Sequence, residues 1–122
     1  MVADFAAQIA NGSVFVAEQA NGSIGGFIVF FSQREHMFLE NVAVHTAAAG
    51  QGLGKALISY CEDAATAAGL GSVELYTNEK MTANLTMYPH LGYTEFDRRE
   101  EAGFNRVYFR KHVSLPGTGD DP

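Results

Sequence analysis

The stretch that decides the fold is MFLENVAVHTAAAGQGLGKALISYCEDAATAAGLGSVELYT, residues 37–77. A β-strand is predicted over residues 37–45, and its side chains alternate between two faces. One face is predicted to carry Phe38, Glu40, Val42 and Val44. A glycine-rich loop follows, and from Leu53 apolar side chains recur at helical spacing until Gly69, which suits a left-handed helix end. A strand over residues 72–77 completes a βαβ unit, so the two strands are predicted to be parallel with a right-handed crossover.

The flanking sequence adds further strands. Residues 14–18 and 24–31 are rich in β-branched and aromatic side chains, and the turn pair Asn21-Gly22 between them indicates an antiparallel hairpin. Residues 81–91 are predicted to be helical, and residues 93–98 and 104–112 to form a final pair of strands. Residues 4–10 place apolar side chains as in the end of an amphipathic helix. The chain is therefore predicted to be a mixed α/β domain.

Composition narrows the functional class. The 122 residues, 47% hydrophobic and 18% charged, suffice for one domain. A single cysteine, Cys61, excludes an internal disulfide, and its position on the helical stripe predicts a core thiol in a reducing, cytoplasmic compartment. A net charge of -6 with scattered basic residues disfavours nucleic acid binding. The sequence carries no signal peptide pattern or membrane-spanning run, and the four histidines lack metal-binding spacing, so we expect neither a membrane nor a metal partner.

The glycine-rich loop invites comparison with phosphate-binding loops, since the N-terminus of a helix favours an anion. A Walker A loop needs four residues between its first glycine and its Gly-Lys pair, but only three separate Gly50 from Gly54-Lys55. The dinucleotide-binding pattern of glycines also fails. A loop without a ligand therefore stays open as an alternative.

Residues 39–58, LENVAVHTAAAGQGLGKALI, resemble the strand, pyrophosphate loop and first helical turns of the GNAT superfamily of acetyl-CoA-dependent N-acetyltransferases. Residues 84–93, NLTMYPHLGY, resemble the coenzyme-contacting helix of that family, with its Tyr and its terminal Gly-Tyr. The resemblance extends over residues 13–113. Ala49 departs from the Arg or Gln that is usual in the loop, and Met81 stands where many members place Asn.

The resemblance implies a twisted, mostly antiparallel sheet of about six strands, with a splayed parallel central pair and flanking helices. It places an acetyltransferase domain at residues 1–113, without the first strand and first helix of the family, and a flexible tail at 114–122. The strand at 14–18 would then lack a neighbour. An unpaired strand edge invites self-association, so a homodimer is predicted.

The resemblance also implies a function, the transfer of acetyl from acetyl-CoA to a primary amine by direct attack. Glu40 is the candidate base, acting directly or through water, and Tyr88 the candidate acid for the leaving thiolate. Coenzyme contacts are implied for Val42, Ala43, Val44, Gly50, Gln51, Gly52, Leu53, Gly54, Lys55 and Asn84. The alternatives are a solvated or salt-bridged Glu40, a buried Tyr88 that only packs beneath the coenzyme, and a coenzyme A-binding or catalytically inactive member of the family.

The acceptor is a small-molecule or peptide amine that the sequence does not identify. Three basic residues, Arg98, Arg99 and Arg106, lie where they could grip an acceptor carboxylate. They could equally pair with Glu100 and Glu101.

Overall fold

A computed structural model describes residues 4–9, 14–18, 22–45, 50 and 52–113, with only the backbone described for 4–9. The elements are, in chain order, β1 (Asp4–Ile9), β2 (Val14–Glu18), β3 (Ile24–Gln33), β4 (His36–Val44), α1 (Leu53–Ala67), β5 (Ser72–Asn78), α2 (Thr82–His90), β6 (Thr94–Glu101) and β7 (Phe104–His112). The predicted mixed α/β class is confirmed. The predicted tail at 114–122 lies outside the described residues.

The strands form one sheet of seven in the order β1-β2-β3-β4-β5-β7-β6. Every neighbouring pair is antiparallel except β4 and β5, which are parallel and joined through α1. The βαβ unit predicted from residues 37–77 is therefore confirmed, and so is the hairpin of β2 and β3.

The segment at residues 4–10 corrects the sequence prediction, because it contains strand β1 and not the end of a helix. β1 pairs with β2 from Asp4↔Glu18 to Ile9↔Val14. Seven residues are too few for an isolated helix to be stable, whereas pairing satisfies the backbone groups along β2. The prediction that the strand at 14–18 lacks a neighbour is wrong for the same reason.

A β-bulge interrupts the pairing of β3 with β4. Phe30 pairs with Leu39 and Val29 with Asn41, so Glu40 is an extra residue without a cross-strand partner. A bulge of this kind bends the strand and shifts its side-chain alternation by one.

The bulge separates residues that the alternation had placed on one face. Leu39 is buried in the core, so Phe38 before the bulge points to the other face. Beyond the bulge, Val42 and Val44 pack against the core. The predicted common face of Phe38, Glu40, Val42 and Val44 is therefore wrong.

The core lies between the sheet and the two helices. Cys61 of α1 is fully buried, as predicted, and its neighbours in the core include Leu57, Leu75 and Val107. The other face of the sheet carries a row of contacting aromatic rings, which comprises Phe31, Phe38, Tyr76, Tyr108 and Phe96.

Candidate active site

The central strands separate soon after they meet. β4 and β5 pair only at Met37↔Val73 and Phe38↔Glu74, and beyond these residues they diverge. A cavity of about 440 Å³ lies in the opening. Its walls are formed by Leu39, Glu40, Asn41, Val42, Val44, Gly54, Ile58, Leu75, Tyr76, Thr77, Asn78, Met81, Asn84, Met87 and Tyr88.

Residues from both faces of the sheet line this cavity. Leu75 and Thr77 of β5 are buried on the helix-covered face, and Tyr76 between them is exposed on the other face. Asn41 pairs with Val29 and also belongs to the exposed face. Residues of both faces of the sheet therefore line this gap, which we call the passage between β4 and β5.

Glu40 lies on one wall of this passage, at the bulge of β4. It is exposed, and no ion pair involves it among the described residues. It is also the one charged side chain among the lining residues that the structure describes. Its carboxylate is thus accessible to a substrate.

Tyr88 lies on the opposite wall, near the C-terminal end of α2, and is 4% exposed. Its ring packs against Tyr93 and Phe109, with centroid separations of 5.6 and 5.8 Å. No described group forms a hydrogen bond with its hydroxyl, yet no fully buried side-chain oxygen in the described structure is unsatisfied. The hydroxyl therefore opens onto the cavity.

Burial controls the protonation of Tyr88. Desolvation by burial, with a smaller contribution from the Cys61 thiol, raises the pKa of Tyr88 to about 12. The hydroxyl therefore keeps its proton at neutral pH and can donate a hydrogen bond.

A hydrogen-bonded network holds the end of α2 against α1. The Tyr93 hydroxyl donates to Glu62 Oε2 at 2.9 Å, and Lys111 Nζ donates to Glu62 Oε1 at 3.1 Å. Burial and the adjacent Glu62 carboxylate raise the pKa of Tyr93, which therefore remains a donor. Tyr88 packs on the Tyr93 ring itself and makes no hydrogen bond within this network.

Asn84 anchors the start of α2 to β5. Its Nδ2 donates to Thr77 Oγ1 at 3.1 Å, and both residues line the cavity. Because this hydrogen bond fixes the side-chain amide of Asn84, the Asn84 carbonyl oxygen is held in a defined position.

The N-terminus of α1 lies at the helix-covered end of the cavity, where Gly54 approaches the Val44 side chain. Gly52 caps the helix with φ +76°, no side chain caps it, and its first turn contains no acidic residue. A Cβ added at Gly50 or Gly52 would meet no atom within 4 Å. The exposed N–H groups and the positive end of the helix dipole therefore suit a pyrophosphate.

The structure gathers six of the predicted site residues around the cavity, namely Glu40, Val42, Val44, Gly54, Asn84 and Tyr88. Gly50, Gly52, Leu53 and Lys55 lie in the loop and first turn of α1, and the Leu53 side chain is in the core. Ala43 pairs with Phe27 on the face opposite Val42 and Val44. Gln51 lies outside the described residues.

Sequence reasoning missed several lining residues, among them Asn41, Tyr76, Asn78, Met81 and Met87. The alternation of residues 72–77 indicated a strand, but the point at which β5 leaves β4 has no sequence signature. Met81 was singled out only as a departure from the family pattern.

The three basic residues considered for the acceptor pair with carboxylates. These ion pairs are Arg98 with Glu95 and Arg99 with Asp97, both at 2.6 Å, and Arg106 with Glu101 at 2.9 Å. Hydrogen bonds from Arg98 and Arg99 lower the pKa of Glu95 and Asp97, and hydrogen bonds from Tyr108 and then from Arg106 lower the pKa of Glu101. Glu100 and Glu101 were the two predicted ion-pair partners of these arginines, and Glu101 forms such a pair, with Arg106.

Within the described ranges, no three His, Cys, Asp or Glu side chains are placed to hold a metal ion together. No described helix has the length and apolar character needed to cross a membrane.

The family of this chain is identified by its similarity to known proteins. The family described as "Acetyltransferase (GNAT) domain" matches residues 10–95. Curated proteins give no significant match. Among solved structures, a nourseothricin acetyltransferase superposes with a TM-score of 0.76 at 21% identity, covering 83% of this chain and 65% of that one.

Two further structures are similar. A putative streptothricin acetyltransferase from Bacillus anthracis, in complex with acetyl coenzyme A, has a TM-score of 0.75 at 19% identity and covers 83% of this chain and 62% of that chain. The ribosomal-protein-S18-alanine N-acetyltransferase from Escherichia coli has a TM-score of 0.74 at 21% identity. The match covers 89% of this chain and 72% of that chain. This chain thus spans slightly less than two thirds of the first two structures. From the family match over residues 10–95, the chain belongs to the GNAT acetyltransferase family.

Proposed function

We propose that the protein transfers the acetyl group of acetyl-CoA to a primary amine by direct attack. The observation that carries the proposal is the passage between β4 and β5, which has Glu40 on one wall and Tyr88 on the other. The coenzyme enters from the helix-covered face, and the amine enters from the exposed face.

The loop before α1 and its first turn bind the coenzyme pyrophosphate. Gly50 and Gly52 leave the backbone open to close approach, and the N–H groups of Leu53, Gly54 and Lys55 are available because no side chain caps the helix. Gln51, which lies between these two glycines in the sequence, is assigned to the same contact. Val42, Ala43 and Val44 offer backbone groups on the side of β4 that has no strand partner, and Asn84 offers its carbonyl oxygen.

Glu40 accepts a proton from the attacking ammonium, directly or through water, since an amine of ordinary pKa is protonated at neutral pH. The amine nitrogen then forms a bond with the thioester carbonyl carbon and loses its second proton to solvent, and the carbon–sulfur bond breaks to release the coenzyme A thiolate. A backbone N–H near Val42 stabilises the negative charge that develops on the carbonyl oxygen.

Tyr88 donates its O–H to the departing sulfur. Its pKa of about 12 exceeds that of an ordinary thiol, about 8.5, so complete proton transfer would be uphill by about 5 kcal/mol. A hydrogen bond that strengthens as the thiolate forms carries no such penalty. Tyr88 therefore acts as the donor of a charge-assisted hydrogen bond and keeps its proton, and the thiolate takes from solvent a proton that balances the second one lost by the amine nitrogen.

The proposal is tested with the full chain, acetyl-CoA and a panel of primary amines, and the acetylated product is identified by mass spectrometry. Release of coenzyme A together with a mass increase of one acetyl group on the amine is expected. Coenzyme binding by calorimetry without acetylation of any amine would favour the alternative, a coenzyme A-binding protein without activity.

A further inference from the structure

The cavity wall contains a carboxylate and no cation. All eight Lys and Arg residues and all four His residues fall in the part of the chain that the structure describes, and none of them lines the cavity. Glu40 is the one charged lining residue in the same part of the chain. A second carboxylate brought beside Glu40 would be repelled and would lose hydration without gaining a counter-ion.

Of the basic residues near the cavity in sequence or register, Arg106 is paired with a carboxylate, and Lys55 and Lys80 are exposed and lie outside the cavity wall. Arg106 pairs with Glu101 and lies over the Tyr76 ring, 4.5 Å from its centroid. Lys80 lies between Asn78 and Met81, but its side chain is exposed and does not form part of the cavity wall. An acidic group on the acceptor therefore finds no cation among the lining residues.

Exposed apolar side chains mark the cavity mouth. Met81 is 52% exposed and Tyr76 is 37% exposed, and both line the cavity. The Tyr76 ring contacts Phe38, with centroids 5.7 Å apart, so the apolar surface continues across the exposed face. Burying this surface against an apolar group on a ligand would favour binding.

We propose that the acceptor is an amine that carries an apolar or aromatic group beside the nitrogen and no acidic group. This inference rests on the proposed acetyl transfer. Glu40 attracts the ammonium, and the apolar surface of Met81 and Tyr76 receives the adjoining group. A free arylalkyl amine and a peptide with an apolar N-terminal residue share this chemistry.

The test compares phenylalaninamide, phenylalanine and alaninamide as acceptors, with kcat/KM expressed per concentration of the ammonium form that Glu40 attracts. Compared with phenylalaninamide, phenylalanine carries a charged carboxylate in place of the neutral amide, and alaninamide lacks the phenyl ring. We expect kcat/KM for phenylalaninamide to exceed that for each of the other two by at least about tenfold. Phenylalanine reacts more slowly because its carboxylate is repelled by Glu40, and alaninamide because it lacks the apolar contact of the ring. Equal rates for the amide and the acid, or faster reaction of the acid, would overturn the inference.

An Asn41→Lys variant tests the charge of the wall, because Asn41 is exposed and lines the cavity. The preference for phenylalaninamide over phenylalanine is expected to fall on the order of tenfold. Glu35→Gln is the matched control, since it makes the same change in net charge roughly 20 Å away along β4, more than twice the Debye length at physiological salt. It should leave the preference unchanged, and an equal fall in both variants would contradict a local effect.

A Met81→Ala variant tests the apolar mouth. The preference for phenylalaninamide over alaninamide is expected to fall at least about threefold, because part of the apolar contact is removed. Ile24→Ala is the control, since Ile24 is 51% exposed and is not part of the cavity wall. A preference that survives Met81→Ala would place the apolar group elsewhere.

Calorimetric titration of the coenzyme A-saturated protein separates this inference from the proposed function. Tighter binding of phenylalaninamide than of phenylalanine, without acetylation, would refute acetyl transfer and retain the binding preference. Equal binding would refute the preference even if acetyl transfer occurs. 2-Phenylethylamine and a phenylalanyl-alaninamide peptide then distinguish the two sources, since the higher kcat/KM identifies a free amine or a peptide as the acceptor.

Discussion

Tyr88 and Tyr93 pack edge to face, with ring centroids 5.6 Å apart and ring planes at 71°. Both rings are buried, but their hydroxyl groups differ in environment. Tyr93 donates to Glu62, whereas Tyr88 has no hydrogen-bond partner in the described part of the chain. The same substitution at the two positions therefore separates an effect on catalysis from an effect on stability.

Tyr88→Phe is expected to lower kcat by about 100-fold, because the departing thiolate loses its hydrogen-bond donor. The dissociation constant for acetyl-CoA and the melting temperature should stay near the wild-type values, since the hydroxyl bonds to no described group. Steady-state kinetics and calorimetry measure the two effects.

Tyr93→Phe is the control for this substitution. It removes the hydrogen bond to Glu62 and should destabilise the fold by about 1–2 kcal/mol in urea unfolding, with kcat close to wild type. If the two variants lost kcat equally, Tyr88 would have a structural role and no special part in the reaction.

The pH dependence of kcat provides a second test of Tyr88. Its pKa of about 12 keeps the hydroxyl protonated through the usual assay range, and only a rise in pH toward that value would remove the donor. We therefore expect no fall in kcat on the basic side up to about pH 10, where under about one molecule in a hundred would carry the phenolate. A basic limb centred near pH 8 that disappears in Tyr88→Phe would contradict the buried, protonated donor.

Glu40→Gln is expected to lower kcat/KM about 100-fold by removing the proton acceptor, while the cavity keeps its shape. Coenzyme affinity should change little, because Glu40 is not part of the loop that binds the pyrophosphate. Glu35→Gln is the control, since this exposed residue lies in the turn before β4 and not in the cavity wall. A kcat/KM in Glu40→Gln within about twofold of the wild-type value would assign the base to another group.

Gly52→Ala is expected to weaken acetyl-CoA binding about tenfold or more, because a side chain at the cap of α1 obstructs backbone contact with the pyrophosphate. Gly69→Ala is a closely matched control at the other end of the same helix. Its φ of +79° resembles the +76° of Gly52, and an added Cβ is equally free of contacts. Both variants should lose about 1 kcal/mol of stability from left-handed strain, but only Gly52→Ala should lose coenzyme affinity.

Self-association remains a proposal, but the strand that would form the contact is β1 and not β2. Because β2 is paired, β1 at residues 4–9 is the edge of the sheet, and its outer backbone groups could pair with a second copy. We expect a homodimer at micromolar concentration in sedimentation equilibrium, weakened by Lys substitutions at Ala6 and Ala7. A monomer throughout the range 1–100 µM, a concentration window set by typical protein affinities, would contradict it.

The sequence alone determined the parts of the fold that depend on local periodicity. Apolar patterns long enough to specify one structure are found in the helical stripe from Leu53 to Gly69 and in the strands on either side. Because one helix connects these two strands, the sequence also predicts their parallel pairing in a βαβ unit. The resemblance to the GNAT superfamily predicted a common site for Glu40, the glycine loop and Tyr88, and Glu40 and Tyr88 both line the cavity.

Only the tertiary structure decided the features that depend on partners distant in sequence. Residues 4–9 have a weak local preference, so the available edge of β2 determines that they form a strand. The bulge at Glu40 appears only when the registers of β3 and β4 are compared, and it places Val42 and Val44 in the core. The divergence of β4 from β5 opens the passage and recruits Tyr76, Asn78 and Met81 to its wall, because long-range packing and not local propensity sets where paired strands part.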